Sequence, residues 1–264
     1  MDLGLDGATA LIVGGSRGIG LATARTLATE GCRIALVGRS SDTLATAAEQ
    51  LRQDGCASVL EVNADATNGG DLARAVDEVH RQWPALNVLV NAVGPVAGGS
   101  FDALDDDAWL SAFNEGTVSV VRSVRAALPL LRAAEWARIV NLTAISVQHQ
   151  SPGLVAYTAA KSALTSLTKN LARSLAAEGI LVNAVAPGPV LSDWAAPALA
   201  RAGLAPDDAR GAYELLSAAH RMAVDLGRFG LPDEVADVVT FCASRRNTFM
   251  TGAQLNVDGG TDFL

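Results

Sequence analysis

Tyr157 and Lys161 are the first residues whose types and spacing could do chemistry. The 264-residue chain has two tyrosines and two lysines, yet one of each stands four positions apart in the segment Tyr-Thr-Ala-Ala-Lys. At that spacing on a helix both side chains lie on one face. An ammonium beside a phenol stabilises the phenolate and lowers a tyrosine pKa that starts near ~10. We therefore expect Tyr157 to exchange a proton with a carbonyl or alcohol oxygen.

A glycine-rich segment lies far upstream of this pair. Residues 14–20 read Gly-Gly-Ser-Arg-Gly-Ile-Gly, after an apolar run and before a stretch with helical spacing. Glycine permits the positive φ of a tight turn and lets the backbone approach a pyrophosphate, while a helix N-terminus offers free N–H groups to the anion. Strand before and helix after are the context of a dinucleotide site. The predicted binding residues are Gly14, Ser16, Arg17, Gly18, Ile19 and Gly20.

The end of the next apolar run indicates which dinucleotide binds. NAD-binding units usually place an acid there to bond the ribose 2′-hydroxyl. Here the run ends Val-Gly-Arg39-Ser40, without an acid. Arg39, together with Arg17 in the glycine turn, could hold a 2′-phosphate through charge-assisted hydrogen bonds. The sequence thus favours NADP(H) over NAD(H), with Arg39 and Ser40 at the phosphate.

The alternation of apolar runs with helical patterns predicts the strands and helices that position these residues. The runs with strand character are 10–13, 33–37, 58–62, 88–90, 139–142, 181–185 and 255–257. Several are apolar almost throughout, as expected for parallel strands covered by helices on both faces. The alternation predicts an α/β fold, a Rossmann-type doubly wound parallel sheet of about seven strands, in a single domain spanning 1–264. Gly31 and Gly55 fall where helices should end, and the acids at 105–107 fall where one should begin.

One segment breaks the alternation. Residues 192–227 contain two prolines and an Ala-rich, helical middle, and we expect a small helical lid over the substrate at about 193–227. From Trp194 to Leu226 the lid is mostly Ala, Leu and Trp, which favours an apolar or mixed substrate over a small acid.

Composition excludes several classes of function. The net charge is −8 and the pI near 4.8, which argues against a nucleic-acid partner. The three cysteines and three histidines are scattered, so we predict no metal site. No apolar run reaches the ~18 residues that a membrane span requires, and no signal peptide is apparent. These features predict a cytoplasmic protein.

Together the motifs resemble those of the short-chain dehydrogenase/reductase family, in particular its 3-oxoacyl-reductase-like members, over essentially the whole chain. Further segments carry the resemblance: the turn at 91–94, Ala64-Asp65, Asn114, Pro187-Gly188 with Val190 and Ser192, and the C-terminal stretches 227–232 and 257–260.

The resemblance implies roles for the matched residues. Tyr157 would be the general acid/base, and Lys161 would lower its pKa and bond the nicotinamide ribose. Asn114 would hold a water linked to the lysine. Asp65 would bond the adenine edge, and the C-terminal strand and helices would build a homotetramer, or a dimer. The other cofactor residues so implied are Ala64, Asn91, Ala92, Gly94, Pro187, Gly188, Val190 and Ser192.

Two positions depart from the family. Val13 replaces the usual threonine at the glycine turn, and the catalytic serine, normally thirteen residues before the tyrosine, is Ala144. Losing such a hydrogen-bond donor typically lowers the rate by ~10²–10³. Three interpretations are open. Ser146, or less readily Thr143, takes the role; the Tyr–Lys pair acts alone on a substrate that supplies its own hydroxyl; or the protein binds NADP(H) and does little chemistry.

We therefore predict an NADP(H)-dependent oxidoreductase that moves a hydride between nicotinamide and a small-molecule ketone or secondary alcohol. An acyl-thioester keto reductase and a ring-ketone or polyol reductase both fit. The alternative from another class is a cofactor-sensing or scaffold protein on the same fold. Ala144 favours that alternative, whereas Tyr157, Lys161 and Asn114 oppose it.

Overall fold

The fold is built on one parallel sheet. The structure is a computed structural model, and it describes residues 1–95, 98–192, 195–220 and 223–261. Within these ranges seven strands pair in the order β3-β2-β1-β4-β5-β6-β7, each parallel to its neighbours. The strands are β1 Thr9–Val13, β2 Arg33–Gly38, β3 Val59–Asn63, β4 Val88–Asn91, β5 Ala137–Leu142, β6 Ile180–Pro187 and β7 Gln254–Val257. The predicted α/β fold with about seven strands is confirmed.

Helices cover both faces of the sheet. They are α1 Gly18–Thr29, α2 Ser41–Gln53, α3 Gly69–Gln82, α4 Asp106–Phe113, α5 Ser119–Ala133, α6 Val155–Leu175, α7 Ala196–Ala202, α8 Ala209–His220 and α9 Pro232–Ala243. In β1, Leu11 and Val13 belong to the apolar cluster shared with α3, α5 and α6. The alternate residues Ala10 and Ile12 belong to the cluster shared with α1, α2 and α9. Burial of both faces explains why residues 10–13 of this strand are all apolar.

Turn residues set the helix ends as predicted. Gly31 and Gly55 follow α1 and α2 with φ of +88° and +92°, a region that side chains with a Cβ rarely adopt. Asp105 caps α4, and its carboxylate accepts the Ala108 N–H at 2.9 Å. The next two acids lie in the first turn of α4, near the positive end of the helix dipole.

The crossover point of the sheet gathers the predicted site. The chain order reverses at β1, which pairs with both β2 and β4. Loops that follow parallel strands all emerge at the carboxyl edge, and the crevice at such a reversal is where α/β sheets bind ligands. The glycine turn, Arg39, Ala92 and Pro187 each end or follow one of these strands.

The segment that breaks the alternation contains α7 and α8. An apolar cluster packs these helices against Leu191 and Phe229, with Leu199 and Leu216 contributed by the helices themselves. Four residues of the predicted lid, at 193–194 and 221–222, lie outside the described residues. Within the described ranges, no helix combines the length and the apolar character needed to cross a membrane.

Candidate active site

A single cleft of about 920 Å³ runs along the carboxyl edge of the sheet. It joins the glycine turn to the segment that bears Tyr157 and Lys161, which lie more than 130 residues further along the chain. Among the predicted cofactor residues, those that line it are Gly14, Ser16, Arg17, Gly18, Ile19, Gly20, Arg39, Ser40, Ala64, Asp65, Ala92, Gly94, Tyr157, Lys161, Pro187, Gly188, Val190 and Ser192.

The glycine turn has the shape of an anion cradle. Gly14 and Gly18 have φ of +86° and +54°. A Cβ on Gly20 would lie 2.1 Å from the carbonyl oxygen of Gly14, so no side chain fits there. A Cβ on Gly18 would meet no atom within 4 Å, because that position faces open space. The turn leads directly into α1, whose N-terminal N–H groups face a site that fits a pyrophosphate.

Two exposed arginines line the adenosine side of this cleft. Arg39 directly follows β2, and Arg17 precedes α1. Ser40 caps α2, and its hydroxyl accepts the Thr43 N–H at 3.3 Å. Two guanidinium groups beside a helix N-terminus form a site suited to a 2′-phosphate.

Asp65 lies in a tight turn after β3. One of its carboxylate oxygens accepts the N–H and the hydroxyl of Thr67 at 2.9 and 2.8 Å. Its own N–H donates to the Asp71 carboxylate at 3.1 Å. The turn is therefore held rigidly on the wall of the cleft, where the resemblance places the adenine.

Lys161 is buried in α6 and is held by backbone carbonyls. Its ammonium donates to Leu142 at 2.7 Å and to Val93 at 3.5 Å, and it lies 6.0 Å from the centre of the Tyr157 ring. Gly94 leaves room for it, since a Cβ there would lie 2.9 Å from the lysine Nζ. A side chain at this position would therefore displace the ammonium from its present place between the two carbonyls.

The expected pKa of the tyrosine is wrong for this structure. Burial raises the pKa of Tyr157 to about 12 and lowers that of Lys161 to about 8. Desolvation disfavours the charged form of each group, and it outweighs the attraction between ammonium and phenolate across this separation. Tyr157 is thus a protonated phenol at neutral pH, the form that can donate a proton to a carbonyl oxygen.

Two predicted asparagines do not line the cleft. Asn91 is buried at the end of β4, donates to the Asn141 side chain at 2.8 Å and accepts from Ser123. Asn114 lies in a π-helical turn between α4 and α5, where its side-chain oxygen accepts from Arg122 at 2.6 Å. Its side-chain oxygen is therefore engaged by the next helix, and the water-mediated link between Asn114 and Lys161 stays a prediction. Asn91 supports the cleft from behind.

The residues around Ala144 answer part of the question that the sequence left open. Ala144 is 5% exposed and precedes a 3₁₀ turn. Ser146, in that turn, is 7% exposed; its hydroxyl is buried without a partner and does not line the cleft. Thr143 lines the cleft, but its hydroxyl lies 3.2 Å from the Val185 carbonyl and 3.4 Å from the Gln254 amide oxygen. Neither hydroxyl is presented to the cleft.

Sequence reasoning missed some residues that line the cleft. Thr67 and Pro95 come from loops already identified, and Thr43 comes from the first turn of α2. All three lie one to three residues beyond the motif positions, so proximity to the motifs was a usable signal. Glu115, in the π-helical turn, directly follows Asn114 and carried the same signal, although a charged residue in a helical pattern is ordinarily solvated. Within the described residues, no group of three or more histidine, cysteine or acidic side chains could hold a metal ion.

Comparison with known proteins places this geometry in a family. A family model described as enoyl-(acyl carrier protein) reductase matches residues 13–262. The chain is 30% identical to the 3-oxoacyl-[acyl-carrier-protein] reductase FabG of Aquifex aeolicus (strain VF5), over 98% of this chain and 99% of that protein.

Two solved structures are also similar. The L-sorbose reductase of Gluconobacter frateurii, complexed with NADPH and L-sorbose, has a TM-score of 0.90, 30% identity and full coverage of both chains. The Pseudomonas aeruginosa RhlG/NADP complex has a TM-score of 0.87 and 28% identity, covering 99% and 98%. The chain therefore belongs to the short-chain dehydrogenase/reductase family, whose members are oxidoreductases of alcohol and carbonyl groups.

Proposed function

We propose that this protein is an NADP(H)-dependent reductase of small-molecule ketones, or the corresponding dehydrogenase of secondary alcohols. The observation that carries the proposal is the single cleft that contains both the glycine turn and the Tyr157–Lys161 pair. NADP(H) is favoured by Arg17 and Arg39 on its wall, and by the NADPH and NADP complexes of the similar structures.

Each group of residues has a role in this proposal. The glycine turn holds the pyrophosphate, Arg39 and Arg17 the 2′-phosphate, and the 187–192 segment the nicotinamide end. The nicotinamide supplies or accepts the hydride. Tyr157 gives its phenolic proton to the carbonyl oxygen, and Lys161 bonds the ribose and compensates negative charge on the tyrosine.

The substrate is proposed to be an apolar or mixed carbonyl compound. Similar proteins include a 3-oxoacyl-[acyl-carrier-protein] reductase and an L-sorbose reductase, so both thioester and polyol chemistry fit the family. We propose one domain over 1–264, in which the segment at about 193–227 forms a lid on the substrate. The apolar cluster of α7 and α8 supports a lid with a stable core of its own.

The proposed function is tested by Tyr157→Phe. We expect ketone reduction to fall by at least ~10² while NADPH binding is retained, because the substitution removes only the proton donor. NADPH affinity is measured by fluorescence titration and turnover by NADPH oxidation with a panel of ketones and keto-thioesters. Full activity in this variant would exclude the mechanism.

A second candidate, a cofactor-sensing or scaffold protein, is favoured by one observation. Ala144 lacks a donor, and the hydroxyls of Thr143 and Ser146 are not presented to the cleft. Tight NADPH binding without turnover of any carbonyl class would support this candidate. Turnover that disappears in Tyr157→Phe would exclude it.

We propose that the chain assembles into a homotetramer, or a dimer, through its C-terminal strand and helices. The strand β7 forms one edge of the described sheet. Light scattering coupled to gel filtration measures the mass directly, and a monomer at micromolar concentration would contradict this proposal.

A further inference from the structure

The site has few hydroxyl groups that could stabilise a developing alkoxide beside Tyr157. Those that line the described part of the cleft belong to Ser16, Ser40, Thr43, Thr67, Thr143, Tyr157 and Ser192. The first four follow β1, β2 or β3 and lie on the adenosine side. Only Thr143, Tyr157 and Ser192 come from the side of β5 and β6, where the reacting carbon has to lie.

Thr143 is directed at other acceptors. A hydroxyl has one hydrogen to donate. The Thr143 hydroxyl faces the carbonyl of Val185 and the amide oxygen of Gln254. The same amide oxygen also accepts from Thr165 at 2.9 Å, which fixes it in place. Turning the Thr143 hydroxyl towards a substrate would break its only hydrogen bond.

Ser146 and Lys161 do not fill the gap. The Ser146 hydroxyl is enclosed by protein, away from the cleft. The Lys161 ammonium already donates to two carbonyls. Ser192 follows the Pro187-Gly188 segment. The proposed function uses this serine to hold the nicotinamide amide. Among the described residues, Tyr157 is therefore the one hydroxyl in this part of the cleft that is left for the substrate oxygen.

We propose that the substrate is an α-hydroxyketone, whose own hydroxyl donates the hydrogen bond that Ala144 cannot make. This inference rests on the proposed ketone reduction. The reduced nicotinamide gives a hydride to the carbonyl carbon, and Tyr157 gives a proton to its oxygen. The ketone becomes a vicinal diol and NADPH becomes NADP⁺. The neighbouring hydroxyl keeps its proton and shares it with the oxygen as negative charge develops there, which lowers the barrier as an oxyanion-hole donor does.

Three small ketones isolate the effect of that hydroxyl. Hydroxyacetone and butanone have the same number of heavy atoms, so they differ in polarity and not in size. Methoxyacetone withdraws electrons as hydroxyacetone does, but it has no O–H to donate. We expect the kcat of the wild-type protein for hydroxyacetone to exceed its kcat for butanone and for methoxyacetone by a factor on the order of 10².

Ala144→Ser supplies the missing donor and completes the comparison. We expect this substitution to raise kcat for butanone and methoxyacetone by a factor on the order of 10². The kcat for hydroxyacetone should rise less than about threefold. NADPH affinity, measured by titration, should match wild type and shows that the variant is folded. Ser192→Ala, at saturating NADPH, should leave the preference among the three ketones unchanged.

Binding gives a readout independent of turnover. Because the donated bond strengthens as charge develops, Kd values for hydroxyacetone and butanone in the NADP⁺ complex should agree within about tenfold by calorimetry. If hydroxyacetone is preferred in Kd but not in kcat, the inference is overturned.

Other outcomes separate this inference from the proposed function. Equal wild-type rates for hydroxyacetone and methoxyacetone, or an equal gain for all three in Ala144→Ser, overturn the inference and leave ketone reduction standing. A preference that changes in Ser192→Ala identifies that serine as the donor and also overturns it. NADPH binding without turnover of any ketone by either protein refutes both.

Discussion

Arg39 stands where a carboxylate would bond the ribose hydroxyl of NAD(H), directly after β2 on the wall of the cleft. Arg39→Asp replaces the cation with an anion, so we expect the Kd for NADPH to rise ten- to a hundredfold, corresponding to about 1.5–3 kcal/mol for a charged hydrogen bond. NADH binding should weaken less. The measurement is fluorescence titration of both cofactors.

The control for Arg39 is Arg81→Asp, which makes the same charge change at an exposed position on α3 outside the cleft. It should leave the NADPH:NADH preference unaltered. A wild-type protein that prefers NADH would show that the arginine argument is wrong.

Lys161 is a second side chain whose surroundings make a measurable prediction. Burial lowers its pKa to about 8 from 10.5. The folded protein therefore binds this proton less tightly than the unfolded chain, so this group destabilises the fold below pH ~8, and stability rises as pH increases from about 8 to 10.5. Lys169→Arg leaves Lys161 as the only lysine. Its side-chain NMR resonance should titrate near 8, and a midpoint near 10.5 would contradict the burial argument.

Replacing Ser146 tests whether its hydroxyl has a catalytic or a structural role. Its oxygen is buried without a partner, so Ser146→Ala removes an unsatisfied polar atom and should stabilise the fold by about 1 kcal/mol, with kcat within about threefold of wild type. Urea denaturation and steady-state kinetics measure both. A loss of kcat on the order of 10² would instead give Ser146 the role of the missing serine.

At the scale of elements, α9 depends on an ion pair at its start. The Arg228 guanidinium donates to both oxygens of Glu234 at 2.6 and 2.8 Å, and Glu234 also accepts the Leu231 N–H at 2.8 Å. The hydrogen bonds and charge of Arg228 hold the pKa of Glu234 at about 2. This arrangement gives a physical reason for the arginine of the Gly-Arg-Phe-Gly-Leu-Pro motif at 227–232.

Glu234→Gln keeps the cap and removes the charge. Because the folded pKa lies below the unfolded value, the pair stabilises the protein above pH ~4.5, and this contribution is lost as the pH falls towards 2. We expect the variant to be less stable by about 1 kcal/mol at pH 7, since the pair is partly exposed. Urea titrations from pH 7 to 3 measure the difference, which should shrink with acidity. Asp77→Asn, an exposed acid on α3, serves as control.

The elements also show where pattern reasoning reaches its limit. The apolar runs predicted every strand end to within two residues, because burial on both faces leaves a continuous signal. The helix at Asn114 was different. A π-helical turn at 114–118 interrupts the helical segment there, and the Asn114 side-chain oxygen accepts from Arg122. One extra residue in a helical turn leaves composition unchanged, so no sequence pattern revealed it.

At the scale of the whole molecule, the cleft collects loops from β1 to β6. A ligand that contacts so many loops binds the folded chain and not the unfolded one. We therefore expect NADPH at a hundredfold excess over Kd to stabilise the protein by about 2.7 kcal/mol. Thermal unfolding with and without cofactor measures this as a rise in Tm. An unchanged Tm at saturation would contradict the assignment of the cleft, and Arg39→Asp should need more NADPH for the same rise.

The sequence by itself determined the fold class, the family and the nature of the cofactor. Strand alternation and the glycine turn are local patterns, and the absence of an acid after β2 is visible in the chain. Ala144 and the Tyr157–Lys161 spacing were equally visible. These features depend on neighbours a few residues away, which is the range over which periodicity and turn chemistry act.

Only the tertiary structure decided how the groups around Ala144 are used. The direction of the Thr143 hydroxyl depends on Val185 and Gln254, which are 42 and 111 residues from it. The enclosure of the Ser146 hydroxyl likewise follows from the folded chain around it. The pKa of Tyr157 depended likewise on burial by the whole fold, and burial reversed the shift expected from Lys161 alone. Desolvation and hydrogen-bond direction are set by atoms that converge from distant parts of the chain, so spacing along the sequence could not supply them.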